Sequence, residues 1–209
     1  MTGPLIAVLD YGIGNLSSAQ KALVRTGADA RLTSDSSLVA KADGVVLPGV
    51  GAFGACMDAL RAAGLETTVH DAVDSGRPFL GICVGMQMLF DASDEDPTHA
   101  GLGIIPGRVE AIPSGVRRPQ MQWNELQMKH DDAIFAGLPA DPWVYFVHSY
   151  SARPVDPSVV IGTCDYGNQL TAVVRRGNLV ATQFHPEKSA TDGLQILANF
   201  VASCGVGRG

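Results

Sequence analysis

The chain has 209 residues, 46% of them hydrophobic and 17% charged, which is enough to bury the core of one α/β domain. Its net charge of −6 argues against a surface that neutralises phosphates, so no nucleic-acid partner is expected. The four cysteines are widely scattered, and no apolar run is long enough to span a membrane. We therefore expect a cytoplasmic protein with a single domain, residues 1–209, no metal site and no membrane association.

The first half of the chain alternates aliphatic runs with helical patterns. The run Leu5–Leu9 predicts a strand, and a glycine loop and a helix ending near Gly27 follow it. Further strands are predicted at residues 30–33, 44–47 and 78–82, with helices at about 55–63, 67–74 and 84–90. Buried strands that alternate with helices predict a doubly wound, mostly parallel sheet whose site lies at the carboxyl ends of the strands.

In the second half of the chain, the spacing of the apolar residues changes. Shorter, partly alternating strands are predicted at residues 108–112, 123–127 and 144–148, separated by proline and glycine turns. Strands at 159–163, 170–174 and 179–184 follow, and a helix at about 192–202 closes the chain. The predicted fold is thus an α/β domain with helices flanking a mostly parallel sheet and a smaller antiparallel addition in the second half.

A cysteine stands between a predicted strand and a predicted helix in Gly81-Ile82-Cys83-Val84-Gly85. Small residues two before and two after a nucleophile allow strand and helix to approach closely, as in a nucleophile elbow. The thiol would be exposed above the first N–H groups of the helix, which favour a thiolate. A lone cysteine after an apolar strand is otherwise more often a buried small hydrophobic residue.

A base and its orienting carboxylate are predicted one hundred residues downstream. His185 ends the last predicted strand, and Glu187 lies two residues on, with Pro186 restricting the backbone between them. In a Cys-His-carboxylate set, histidine takes the thiol proton and returns it to the leaving amine, while the carboxylate orients the imidazole. His-Pro-Glu alone is more often a surface turn, but together with the elbow and the loop at residues 48–51 it predicts a catalytic triad.

Six segments resemble those of the class I, triad-type glutamine amidotransferases, and the similarity covers essentially the whole chain. They are Asp10-Tyr11-Gly12-Ile13-Gly14-Asn15-Leu16, Pro48-Gly49-Val50-Gly51-Ala52-Phe53, Gly81-Ile82-Cys83-Val84-Gly85-Met86-Gln87, Trp123-Asn124, Tyr145-Phe146-Val147-His148-Ser149-Tyr150 and Gln183-Phe184-His185-Pro186-Glu187-Lys188-Ser189. Within that family, the chain is most similar to the glutaminase subunits of imidazole glycerol phosphate synthases.

The resemblance implies roles for individual residues. The triad would be Cys83, His185 and Glu187. The residues that would hold glutamine are Gly51, Gln87, Glu95, Ser149 and Tyr150. Those that would face a partner subunit are Asn15, Trp123, Asn124, Tyr145 and Lys188, although Trp123 and Tyr145 would otherwise be assigned to the core and Lys188 to a solvated surface.

The resemblance also implies a reaction and a partner. Glutamine would be hydrolysed to glutamate through a γ-glutamyl thioester, without a metal or organic cofactor. Ammonia would pass to a cyclase with a (β/α)₈ barrel, the other half of a heterodimer. That cyclase would act on a ribulosyl formimino aminoimidazole carboxamide ribonucleotide to form imidazole glycerol phosphate and an aminoimidazole carboxamide ribotide in histidine biosynthesis. Alternatives are a class I glutaminase for pyridoxal phosphate or anthranilate synthesis, and a non-catalytic binding module with the same fold.

An oxyanion hole needs two N–H donors, and the residue after the nucleophile, Val84, supplies one. Val50 is predicted to supply the second, because the glycines on both sides would let the Gly49–Val50 peptide rotate. One segment departs from the subfamily. Gln120 and Gln122 stand where histidine and glycine are usual, so the loop beside the partner is expected to be shaped differently.

Overall fold

The computed structural model describes residues 3–205, and its centre is an eight-stranded β-sheet. The strands are β1 Leu5–Leu9, β2 Asp29–Thr33, β3 Gly44–Gly49, β4 Phe79–Cys83, β5 Ala92–Ser93, β6 Gly107–Ala111, β7 Gln120–Glu125, β8 Gln127–Met128, β9 Trp143–His148, β10 Tyr150–Pro154, β11 Val160–Asp165, β12 Gln169–Arg176 and β13 Leu179–Thr182. The helices are α1 Leu16–Arg25, α2 Ser36–Lys41, α3 Phe53–Ala62, α4 Glu66–Asp74, α5 Val84–Gln87 and α6 Ala190–Gly205, and 3-10 helices cover Ala133–Phe135, Pro157–Val159 and Pro186–Lys188.

One half of the central sheet is parallel, as predicted. The strand order is β2-β1-β3-β4-β13-β12-β11-β8, and the first five of these strands run parallel to one another. Every residue of β3 and β4 is buried, which requires both faces of the sheet to be covered. This burial explains why both strands are continuous apolar runs in the sequence.

The antiparallel addition is also present, but it is divided among three sheets. Strands β12, β11 and β8 extend the central sheet in antiparallel pairing, and β12 and β13 form the predicted hairpin, with Gly177 at a φ of 59° in its turn. The remaining strands form a three-stranded sheet, β10-β6-β5, and a two-stranded sheet, β7-β9. Both small sheets lie in the chain segment between β4 and β11.

Four of the helices, α1, α3, α4 and α6, lie where the apolar periodicity predicts them. Helix α2 was not predicted, because its six residues contain too few apolar positions to show a period. Its one clear signal is the N-cap Asp35, whose carboxylate accepts a hydrogen bond from the Ser37 amide at 2.8 Å. The predicted domain limits of residues 1–209 include the ends of the chain, residues 1–2 and 206–209, which lie outside the described residues.

The helix after Cys83 is shorter than predicted, ending at Gln87 rather than at residue 90. The chain turns there because the next main-chain carbonyls bond to a distant segment. The carbonyls of Met88 and Leu89 accept hydrogen bonds from the amides of Leu102 and Ile105 at 2.8 and 2.9 Å. These tertiary hydrogen bonds replace the helix that the local pattern favours.

The sheet topology places the predicted catalytic segments side by side. Strand β4 lies between β3 and β13, and all three are parallel, so their carboxyl ends meet at one edge. The loop at residues 48–51, Cys83 and the segment that carries His185 therefore converge. Among residues 3–205, no helix is both long and apolar enough to cross a membrane.

Candidate active site

A nucleophile elbow forms at the junction of β4 and α5. Cys83 has a φ of 57° and a ψ of −113°, a conformation that is strained for any residue with a side chain. A Cβ on Gly49 would lie 2.5 Å from the amide nitrogen of Gly85, and a Cβ on Gly85 would overlap the carbonyl oxygen of Leu47. Glycine at both positions therefore allows β3 and α5 to meet beside the thiol.

The Cys83 thiol is more enclosed than predicted. Only 4% of the residue is exposed, so it is not lifted free of the sheet edge but lines a cavity of about 420 Å³. The side-chain nitrogen of Gln183 lies 3.9 Å from its sulfur. Because α5 has only four residues, its first amides rather than a long helix dipole provide the positive field at the thiol.

The base and its carboxylate are paired as predicted from the sequence. Nδ1 of His185 lies 2.8 Å from Oε1 of Glu187, and both side chains are almost fully buried. Burial opposes the charged imidazole, but hydrogen bonding to Cys83 and Glu187 outweighs it and raises the pKa of His185 to about 9. At neutral pH, His185 is therefore protonated and holds a proton beside Cys83.

The main chain of His185 is fixed to β9 by Ser189. The Ser189 hydroxyl donates to the carbonyl of His185 at 2.7 Å and accepts from the amide of Tyr145 at 2.9 Å. The His185 amide in turn donates to the carbonyl of Tyr145 at 3.1 Å. These three bonds hold the imidazole in place against the end of the sheet.

The loop predicted to form the oxyanion strand lies along the same cavity, which Val50 and Gly51 both line. Two side chains donate hydrogen bonds to carbonyls of this loop, one on each side of the Gly49–Val50 peptide. The hydroxyl of Tyr11 donates to the carbonyl of Pro48 at 2.5 Å, and the thiol of Cys56 donates to the carbonyl of Val50 at 3.2 Å. Gly51 has a φ of 87°, so the chain reverses there in a conformation that favours glycine.

All the residues predicted to hold glutamine line this cavity. They are Gly51, Gln87, Glu95, Ser149 and Tyr150. One carboxylate oxygen of Glu95 accepts a hydrogen bond from the amide of Phe53 at 2.8 Å, which fixes the side chain at the start of α3. The amide group of Gln87 donates to the Tyr150 carbonyl at 3.2 Å and to the side-chain oxygen of Gln183 at 3.1 Å.

The residues predicted to face a partner lie in different environments. Asn15 and Lys188 line the mouth of the cavity and are exposed. Trp123 and Tyr145 are paired across β7 and β9 with ring centroids 6.1 Å apart, outside the cavity. Asn124 lies on the opposite face of β7 from Trp123, and its side-chain amide donates to the carbonyl of Asp165 at 2.9 Å. The structure thus gives Asn124 a bond within the chain.

An exposed apolar surface covers one face of the β7-β9 sheet. Its most exposed members are Met121, Trp143 and Trp123, which are 61%, 50% and 43% exposed. Large apolar side chains grouped at a surface mark an interaction site. Trp143 carried no signal in the sequence, because its exposure depends on how β9 pairs with β7.

Two further residues at the site were missed. The sequence pattern assigned no role to Gln183, which lies in the His-Pro-Glu segment. In the structure, its side-chain nitrogen lies near the sulfur of Cys83, and its side-chain oxygen accepts from Gln87. His148 also lines the cavity and bonds to Gln120, one of the two departures from the subfamily pattern. Gln120 is fully buried, whereas Gln122 is exposed. Within residues 3–205, no cluster of three or more His, Cys, Asp or Glu side chains could hold a metal.

The fold and the site define a class of enzyme. A family model described as glutamine amidotransferase class-I matches residues 7–204. The chain therefore belongs to the class-I glutamine amidotransferases. A solved glutamine amidotransferase has a TM-score of 0.76 and 24% identity, covering 96% of this chain and 98% of its own. PurLQS from Thermotoga maritima has a TM-score of 0.76 and 19% identity with the same coverage, and both structures share the fold.

Curated relatives narrow the class to one group. Imidazole glycerol phosphate synthase subunit HisH of Rhodopirellula baltica is 49% identical over 201 residues, covering 95% of this chain and 98% of that protein. The HisH subunit of Synechococcus elongatus is 52% identical over 202 residues, covering 95% and 93%. Within the amidotransferases, the chain thus belongs to the family of these HisH proteins.

Proposed function

We propose that this chain hydrolyses glutamine with Cys83, His185 and Glu187 and delivers the ammonia to a cyclase subunit for histidine biosynthesis. The observation that carries the proposal is the placement of a strained, cavity-lining thiol beside a buried imidazole that is paired with a carboxylate. Among the described residues, Cys83 is the one cysteine that lines the cavity.

The chemistry begins at Cys83. Its thiolate attacks the carboxamide carbon of glutamine, and the imidazolium of His185 gives its proton to the departing ammonia. Water then hydrolyses the γ-glutamyl thioester, with the neutral imidazole accepting its proton. Glu187 keeps the imidazole oriented through the Nδ1 bond and stabilises its charged form throughout.

The oxyanion that forms during each attack needs N–H donors. The amide of Val84 follows the nucleophile at the start of α5, where helix amides have no partner within the helix. We assign the second donor to Val50, whose peptide would have to present its N–H to the cavity. The hydrogen bonds of Tyr11 and Cys56 fix the carbonyls on either side, so rotation is confined to the single peptide between them.

Glutamine would be bound by the residues that line the cavity. The carboxylate of Glu95 suits the α-ammonium group of the substrate, since one of its oxygens is already held by the amide of Phe53. Ser149 and Tyr150 also line the cavity and would contact the α-carboxylate. Gln87 and Gly51 complete the cavity beside Cys83. The cavity thus combines one carboxylate, that of Glu95, with mostly uncharged lining residues.

The partner is proposed to be a cyclase with a (β/α)₈ barrel, bound as a heterodimer. The relatives are named as subunits of imidazole glycerol phosphate synthase, and the apolar surface of the β7-β9 sheet is available for docking. The aromatic pair Trp123 and Tyr145 would form the centre of the interface, where aromatic residues contribute most to affinity. Asn15 and Lys188 stand at the cavity mouth, on the path that ammonia would take.

The test separates the two halves of the reaction. In the complex with the cyclase, Cys83→Ala should abolish synthesis from glutamine and preserve synthesis from added ammonium salts. The same variant should release no glutamate from glutamine. Loss of both activities, with the complex intact, would contradict the proposed division of labour, and full glutamate release would contradict the role of Cys83.

A further inference from the structure

A chain of buried side chains leads from the antiparallel half of the sheet to the glutamine cavity. Nδ1 of His148 lies 2.8 Å from the carbonyl of Tyr150, and Nε2 lies 2.9 Å from the side-chain oxygen of Gln120. The side-chain nitrogen of Gln120 lies 4.0 Å from the sulfur of Cys164. Gln120 and Cys164 are fully shielded from solvent, and His148 nearly so.

The protonation state of His148 fixes the direction of these bonds. Burial and the charge of the nearby His185 lower the pKa of His148 to about 4, so the imidazole is neutral at physiological pH. A carbonyl can only accept, so the single ring proton must lie on Nδ1 and be donated to Tyr150. Nε2 then carries a lone pair and requires a donor.

A neutral His148 therefore requires the Gln120 amide to be turned by 180°. The two ends of an amide have nearly the same shape, and the hydrogen-bond partners decide which end is which. In the turned orientation, the nitrogen of Gln120 donates to Nε2 of His148. Its oxygen then accepts from the thiol of Cys164, whose proton is retained because burial raises its pKa to about 12.

The Tyr150 carbonyl connects this chain to the substrate. It accepts from His148 and also from the side-chain nitrogen of Gln87, which in turn donates to Gln183. Gln183 reaches the sulfur of Cys83. A shift of Gln120 would thus change the position of Tyr150 and Gln87, both of which line the cavity.

We propose that Gln120 and His148 are positioning residues for the glutamine cavity, with the Gln120 amide donating to a neutral His148 whose Nδ1–H fixes the carbonyl of Tyr150. The catalytic consequence rests on the proposed glutaminase function. The hydrogen-bond direction does not, and it can be measured on the isolated chain.

The first experiment records long-range ¹⁵N–¹H correlations of the full chain labelled with ¹⁵N-histidine, between pH 5.5 and 8.5. His148 is assigned by the signal that His148→Asn removes. The expected result is a neutral ring protonated at Nδ1 over the whole range. A ring protonated at Nε2, or a charged ring at pH 7, would overturn the proposed direction, and the spectrum itself is recorded on the wild-type chain.

The second experiment measures glutamate release by the complex with its cyclase. Gln120→Met removes the donor, and the loss of one hydrogen bond should raise the KM for glutamine about five-fold, with kcat changed by less than about two-fold. Gln120→Glu retains the shape and, as a neutral acid in this buried position, has an O–H that can donate to Nε2, so it should keep the KM closer to the wild-type value than Gln120→Met does. The matched control is Gln127→Met on the exposed edge strand β8, which should leave both constants unchanged.

The outcomes are distinct. An unchanged KM in Gln120→Met, or a KM in Gln120→Glu no lower than that of Gln120→Met, would overturn the positioning role. Absence of glutamate release from the wild-type complex would instead contradict the proposed function, and the direction of the His148 bonds would still be decided by the first experiment.

Discussion

The close contact of α5 with β3 makes Gly85→Ala a demanding test of the elbow. The Cβ of an alanine here would overlap the carbonyl oxygen of Leu47 and lie 2.9 Å from its carbonyl carbon. Both atoms belong to the backbone of a buried central strand, so neither can rotate away. To reach an ordinary separation, α5 and β3 must move apart by roughly 1 Å.

That displacement has a cost in stability and a larger cost in activity. Overpacking a core costs about 1–3 kcal/mol, and the better helix propensity of alanine offsets up to about 1 kcal/mol. The net loss is therefore up to about 3 kcal/mol, which lowers the melting temperature of a domain of this size by up to about 12 °C. Because Cys83 and the Val84 amide move with α5, a misplacement of about 1 Å should reduce glutamine hydrolysis about 10²-fold.

The assay compares glutamine-dependent and ammonium-dependent synthesis by the complex, together with thermal unfolding of the variant. Gly205→Ala, at the end of α6 with nothing within 4 Å of its added Cβ, is the matched control and should match the wild type. Gly85→Ala should lose the glutamine-dependent reaction and keep the ammonium-dependent one. Wild-type glutamine turnover with an unchanged melting temperature would refute the close-packing argument.

Val50→Pro deletes the proposed second oxyanion donor and should reduce the glutaminase turnover of the complex about 10²–10³-fold while binding to the cyclase persists; full turnover would exclude that donor. Because the pKa of His185 is raised in the folded state, its protonation stabilises the fold below pH 6.5, and this contribution is lost as pH rises through about 9. In thermal scans, the melting temperature should therefore fall more steeply between these two pH values in the wild type than in Glu187→Gln. Equal slopes would contradict the pairing of His185 with Glu187. Lys188→Ala should reduce the binding free energy of the complex, measured by titration calorimetry, by about 1 kcal/mol or less if the Lys188 contact is exposed to solvent, and by several times more if that contact is desolvated. If neither the affinity for the cyclase nor its effect on glutamine hydrolysis changes, Lys188 lies outside the interface. Trp143→Ala should weaken the complex by at least about 1 kcal/mol in the same titration, and an unchanged affinity would place Trp143 outside the interface.

The parts of the site that the sequence predicted depend on local chemistry. The elbow follows from small residues at fixed spacing around Cys83, and the neighbourhood of β3, β4 and β13 follows from the rule that sites form at the carboxyl ends of parallel strands. His185 and Glu187 are two residues apart, so their pairing needs no long-range information. These features could be derived before the fold was known.

The parts that could not be predicted depend on tertiary pairing. The length of α5 is set by hydrogen bonds from residues 102 and 105, which no local pattern reveals. The bond between Gln120 and His148 joins residues on two strands whose register only the fold determines. The enclosure of Cys83 has the same origin, because the walls of its cavity come from seven separate segments of the chain.

A single residue of strand β9, Tyr145, belongs to the exposed apolar surface and also contacts the segment that carries the catalytic histidine. The ring of Tyr145 packs beside Trp123 on the exposed face, while its amide and carbonyl hold Ser189 and His185. Three residues further on, His148 ends the strand inside the cavity. A subunit that binds the exposed face therefore contacts the residue that fixes the catalytic imidazole. A displacement of β9 on docking would therefore reach His185 directly, through the hydrogen bond between its amide and the carbonyl of Tyr145.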